Sequence, residues 1–173
     1  MEILIEFGKL LIPALLVLYA MYLTVKSILE KDIEKKEVDL KIKNYETILP
    51  LRLQAYERIA LLLERITPNN IMLRLNNPGL SAKEFQIILV KEIRDEYNHN
   101  LSQQIYIDDR TWVLVRKAIE DTINLINQSS MNLKEEAKAM DLIKAVFADI
   151  MQNEVDSVEH ALGQLKKEVS QFY

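Results

Sequence analysis

The chain contains no cysteine. No disulfide can brace it, and its cysteine usage is compatible with any cellular compartment. It has only two histidines, His99 and His160, which leaves few ways to build an acid–base pair or a metal centre. Glu96 and His99 have the Glu-x-x-His spacing of di-iron bundles, but such a site needs a second copy, and Ser157 stands three residues before His160. There is no Gly-rich phosphate loop, no nucleophile elbow and no Cys/His zinc pattern. Neither a metal nor another cofactor is expected. A net charge of −4 and a pI near 5.3, without a strong basic stripe, argue against nucleic acid as a partner. With three glycines and four prolines, breaks in the chain are few and clear. No internal repeat and no low-complexity tail is present.

One apolar run dominates what is present. Leu10 to Val25 is 16 residues without a charge, flanked by Lys9 and by the lysine-rich stretch from Lys26. As a helix it measures roughly 24 Å, somewhat short of a bilayer core of about 30 Å. A start near Ile3 closes the gap, with Glu6 and Lys9 one turn apart and able to pair. The start of the chain lacks the basic region of a signal peptide, and Ala20-Met21-Tyr22 is a poor cleavage site. Tyr19 and Tyr22 stand where an interfacial aromatic belt would. The reading is an uncleaved single span over residues 1–26. Lys26, Lys31, Lys35, Lys36, Lys41 and Lys43 follow it, while only Lys9 precedes it. That asymmetry predicts an outward N-terminus and a cytoplasmic C-terminal part.

Residues 27–41 are highly charged with both signs interleaved, as in a solvated helical stalk. The remainder, 42–173, is long enough for one domain with a core. Ile42, Tyr45, Leu49, Leu53, Tyr56, Ala60 and Leu63 recur at helical spacing, with Pro50 expected to kink the helix. Thr67 to Asn70 and Asn76 to Gly79 break the chain, and Ile71 to Leu75 reads as an irregular link. Asn98-His99-Asn100 and Gln128-Ser129-Ser130 are softer breaks. Ser81 and Glu84 form a capping box ahead of Phe85, Ile88, Leu89, Ile93 and Tyr97. Asp108 or Asp109 caps a helix carrying Trp112, Val115, Ile119, Ile123 and Ile126. A last helix starts at Asn132 and Glu135. Its later part holds a heptad seam: Met151, Val155, Val158, Leu162, Leu165, Val169 and Phe172. This seam either packs on the first helix of the same chain, the preferred reading, or meets its copy in a second chain. The fold class is all-α: an N-terminal transmembrane helix, a long-helix stalk and a helical bundle with a C-terminal coiled-coil seam.

Arg94-Asp95-Glu96-Tyr97-Asn98-His99 resembles the Arg-polar-x-x-x-His motif of the HEPN-type ribonucleases, which are also all-helical. The resemblance implies Arg94 and His99 at an RNA-cleaving site, with Asp95 the variable polar member. Leu51 to Ile59, Tyr97 to Tyr106 and Trp112 together resemble an uncharacterised family of small bacterial proteins with one N-terminal span and a helical cytoplasmic part. Asn100-Leu-Ser-Gln-Gln104 is the most specific piece of that likeness. It implies a bacterial inner-membrane protein and supplies no activity. In the polar block, Ser102, Gln103 and Gln104 are expected to satisfy backbone groups where two helices meet, with a binding surface as the alternative. The ATP synthase peripheral stalk subunit shares only the layout of a span followed by long helices.

From the sequence, the chain is a membrane-anchored α-helical adaptor or accessory subunit. It acts through protein–protein contacts, as a homo-oligomer or with a membrane-protein partner, and is not an enzyme. The alternatives are a HEPN-like ribonuclease and a purely structural tethered spacer.

Overall fold

A computed structural model of the chain describes residues 1–152 and 157–172, without the side chains of residues 2–8, 10 and 152. The described elements are all helical: α1 (Glu2–Ile66), α2 (Pro68–Leu75), α3 (Ala82–Asn100), α4 (Asp109–Met131), α5 (Ala139–Gln152) and α6 (Ser157–Val169). Two 3-10 turns, Leu101–Tyr106 and Ser170–Phe172, follow α3 and α6. The chain divides into two compact units, Met1–Leu49 and Pro50–Tyr173.

The first unit is the leading part of α1. It includes an apolar window of 18 residues with mean hydropathy 1.8, none of it buried, in a helix long enough to cross a membrane. Its described side chains are exposed as far as Ile48. Along the charged stretch, Lys26 pairs loosely with Glu30 at 3.9 Å, an exposed contact of little energetic weight.

The second unit is a bundle with its own core. The buried face of α1 here is Ala55, Tyr56, Ile59, Leu62, Leu63 and Ile66. This corrects the expected stripe at one end: Ile42 and Tyr45 are each 51% exposed, because they precede Pro50, where the bundle begins. The corrected face keeps the same three-and-four spacing. Helix α4 packs against α3, α5 and α6, and α3 also packs on α5. Phe85, Leu89 and Ile93 of α3, Val115 and Ile126 of α4, and Leu142 and Val146 of α5 fill the space between them. Trp112, 7% exposed, is a core anchor as expected.

Local chemistry sets the helix boundaries. The Ser81 hydroxyl accepts from the Glu84 N–H at 3.2 Å, and the Ser81 N–H donates to Glu84 Oε2 at 2.9 Å. Both halves of the capping box are therefore made. The Ser81 hydroxyl and N–H hold the Glu84 carboxyl below its usual range. Asp108, rather than Asp109, caps α4, its carboxylate accepting from the Arg110 N–H at 2.8 Å.

Three expectations are corrected. Residues 71–75 are helical: Thr67 caps α2 with Pro68 at its first position, and Ile71 and Met72 are fully buried. The Gln128–Ser130 break does not form. The buried Ser129 hydroxyl lies 2.9 Å from the Leu125 carbonyl and 2.6 Å from Asp149 Oδ2, so α4 runs on to Met131. Asn132 is the C-cap of α4 and not a helix start. The chain after it runs through turns, and Lys138 then bridges to Ser81 at the entry to α3, with the Ala82 N–H donating to the Ala137 carbonyl at 2.8 Å and the Ala139 N–H to the Leu80 carbonyl at 3.1 Å. Helix α5 then starts with Asp141 accepting from the Lys138 N–H at 3.0 Å.

Gly163 of α6 has nothing within 4 Å of where a Cβ would stand, and its φ is not positive. Gly163→Ala should therefore raise the stability of the detergent-solubilised chain by up to about 1 kcal/mol. Leu142→Ala, at a position with no exposure, should lower it by about 2–5 kcal/mol. Urea unfolding followed by circular dichroism checks both; a destabilised Gly163→Ala would mean that α6 is packed more tightly than described.

Candidate functional site

The most connected polar cluster of the bundle lies where α1, α4 and α6 meet. Arg52 and Tyr56 are four residues apart and so stand on one face of α1. Glu168 sits in the last turn of α6, with its side chain only 9% exposed. A carboxylate in such a place is costly unless it is paired. The Tyr56 hydroxyl donates to Glu168 Oε1 at 2.5 Å, and the Asp108 N–H donates to the same oxygen at 2.9 Å. Arg52 Nη2 donates to the Tyr56 oxygen at 3.1 Å and lies 3.8 Å from Glu168 Oε1. Arg52 Nε donates to the Tyr106 carbonyl at 3.1 Å. Its guanidinium also lies 4.7 Å from the centre of the Phe172 ring. Glu168 Oε2 has no hydrogen-bond partner among the described residues.

Burial, the hydrogen bond to Glu168 and the charge of that carboxylate push the Tyr56 phenol up to about 12, with Arg52 opposing. A phenol held so high keeps its proton and makes a poor acid at neutral pH. The cluster is a clasp that ties both chain ends of the bundle to the start of α4. Sequence reasoning missed it. An acid beside an apolar seam reads as solvated, and only the Arg52–Tyr56 spacing hinted at a polar face.

Arg94 lies at an open cleft of about 410 Å³ between α3 and α4, lined also by Tyr97, Arg116, Ile119, Glu120, Ile123 and Asn124. Tyr97 stacks on Trp112 with ring centres 6.0 Å apart. Neither arginine has an ion pair among the described residues. His99 is exposed in the last turn of α3 and is not part of the cleft. Five residues along a helix turn through about 500°, so Arg94 and His99 point about 140° apart. Asp95 is exposed as well.

In the polar block, only Asn100 is buried, donating from its side chain to the Glu96 carbonyl at 2.9 Å. Ser102 and Gln104 are exposed, and Gln103 donates to the Ser102 hydroxyl at 3.3 Å. The expected role for these three in satisfying backbone groups between helices is therefore corrected. The 3-10 turn leaves Ser102 and Gln104 exposed and Gln103 half-buried.

The C-terminal seam is also redistributed. Met151 is 89% exposed, and Val155 lies outside the described residues. Val158 and Leu165 are buried, while Leu162, Val169 and Phe172 pack partly buried on the same core. α6 packs on α4 of its own chain, so from Val158 onward this face is already covered.

The family model described as "Family of unknown function (DUF7935)" matches residues 2–172. No curated protein matches the chain. No solved structure matches it.

The clasp carries a pH dependence of definite sign. The folded Tyr56 phenol, at about 12, lies above its ordinary value of 10.0. Its contribution to stability is thus complete below pH 10 and is lost as the pH rises through 12. The difference in tyrosinate absorbance between the native chain and Tyr56→Phe should show one phenol titrating near 12. A step near 10 in the folded chain would mean that the phenol is not held by Glu168.

Proposed function

The chain belongs to the Family of unknown function (DUF7935), and from that premise we propose that it is a membrane-anchored helical adaptor or accessory subunit, working through protein–protein contacts. The observation that carries this reading is the apolar window of α1, with mean hydropathy 1.8 and no part buried. Leaving such a surface in water is costly at about 25 cal/mol per Å². Lipid covers a single helix without any further element, because the helix satisfies its own backbone groups. The lysine excess after the window supports an outward N-terminus and a cytoplasmic bundle at a bacterial inner membrane.

The bundle supports the binding half of the reading. It has its own core, so the anchor is not needed to complete it. It also leaves bulky apolar side chains in water, among them Leu73 at 68%, Ile105 at 73% and Met131 at 83% exposed. Apolar helix-face contacts use such side chains. Confinement to one membrane raises the effective concentration of a body and its partner without any new contact.

After lysis and carbonate washing, the full chain should remain in the membrane pellet until detergent is added; recovery in the wash would overturn the anchor. Since the chain has no cysteine, Gln171→Cys reports orientation. It should resist a membrane-impermeant maleimide in intact cells and react after lysis, and rapid labelling of intact cells would reverse the topology. Crosslinking in native membranes should give defined adducts. Their absence under every condition would favour a spacer without partners.

A further inference from the structure

Beyond the apolar window, α1 carries a second apolar face, exposed at Val38, Ile42 and Tyr45 and half-buried at Leu49. Val38, Ile42, Tyr45 and Leu49 are spaced by four, three and four residues, and fall within about 60° of arc on the helix. Val38 is 49% exposed, and Ile42 and Tyr45 are each 51% exposed. The same spacing carries on in sequence through Arg52 to Tyr56, Ile59, Leu63 and Ile66, which the bundle buries. It is a heptad seam of which only the later part is covered by this chain. Leu40 is apolar too, but it lies about 160° from Ile42 around the helix.

We infer that the face Val38–Leu49 is a self-association surface, which pairs with the same face of a second copy as a parallel two-stranded coiled coil. With Ile42 and Leu49 at a positions and Val38 and Tyr45 at d positions, Lys41 falls at g and Glu46 at the following e. In a parallel pair each Lys41 then meets the partner's Glu46, a contact of opposite charges made twice by the two-fold axis. Nearer the apolar window the a and d positions hold Lys35 and Lys31. The g–e′ pair of that heptad is Glu34 with the partner's Asp39, two like charges, and their repulsion together with that of the lysines ends the pairing there and disfavours slipped registers. Two heptads are short for an isolated coiled coil. Parallel orientation and matched height come from two copies anchored in one bilayer, so the inference rests on the membrane reading above. That anchoring also raises the effective concentration of each strand for the other.

The absence of cysteine allows a direct test on the full chain in isolated membranes. Disulfide formation needs Cβ atoms roughly 3.5–4.5 Å apart. Under a mild oxidant, Val38→Cys, Ile42→Cys and Tyr45→Cys should each give a reducible band at twice the chain mass, and Leu40→Cys should not. In the Val38→Cys background, Lys41→Glu should reduce the dimer band, and adding Glu46→Lys should restore it. Equal crosslinking at Leu40, no crosslinking at the seam, or an adduct of any other mass would overturn self-pairing. Fractionating the same membranes separates the two readings. A chain that pellets without crosslinking loses only the self-association surface, whereas one that stays in the supernatant loses its anchor.

Discussion

A helix that satisfies its own backbone hydrogen bonds can cross any surroundings its side chains allow, and α1 depends on this. Its ladder runs from Glu2 to Ile66. Along it the residues change from the uncharged run Leu10–Val25, to a charged stretch with an apolar stripe, to an amphipathic face against a core. In lipid, a free backbone donor or acceptor would be costly; in the bundle, side chains take over the specificity. The two prolines in the ladder, Pro13 and Pro50, each remove one donor and leave a carbonyl one turn earlier unbonded. Pro50 releases the Glu46 carbonyl in the exposed stretch, where water can take it. Pro13 releases that of Lys9, close to the start of the apolar run, where a helix end can satisfy it.

Periodicity made most of the helices legible, because burying one face imposes a repeat that the sequence must carry. The caps at Ser81 and Asp108 were legible for a different reason: their side chains act on backbone groups two or three residues away, so the whole interaction lies within a short window. The failures came where a local signal was outweighed by a distant partner. Asn132 and Glu135 have the composition of a helix start, yet the backbone of Leu80 and Ala82 pairs with the following segment and delays the helix to Ala139. Ser129 reads as a break, yet Asp149 on α5 gives its buried hydroxyl a half-buried partner. Periodicity also continues past the point where a core is available, which is why Ile42 and Tyr45 fit the stripe yet stay exposed.

The motif between Arg94 and His99 shows how spacing and geometry part company. In sequence the two residues are neighbours in a pattern; on α3 they lie on different sides of the helix, and only Arg94 reaches the cleft with Arg116. Arg94 and Arg116 share the cleft with Glu120, Ile119 and Ile123, so its lining holds charges of both signs beside apolar side chains. Arg116 was not singled out in the sequence, because an arginine on an amphipathic helix ordinarily faces solvent, and its convergence with Arg94 depends on how α3 and α4 pack.

The clasp at Glu168 explains why the last helix closes the bundle in one register. A buried ion pair adds little net stability, since desolvation offsets most of its Coulomb attraction. Apolar packing of Val158, Ala161 and Leu165 supplies affinity for the core, but an apolar face alone tolerates sliding by a turn. A slip of α6 by one turn, about 5.4 Å, would carry Glu168 away from the Tyr56 hydroxyl and the Asp108 N–H while leaving it buried. A charge stranded in that way costs several kcal/mol, as much as removing a whole buried leucine side chain. The hydrogen bonds that hold Glu168 therefore act mainly by penalising every other arrangement. They do so through groups drawn from α1, the turn before α4 and α6, so fixing one carboxylate fixes the meeting point of all three.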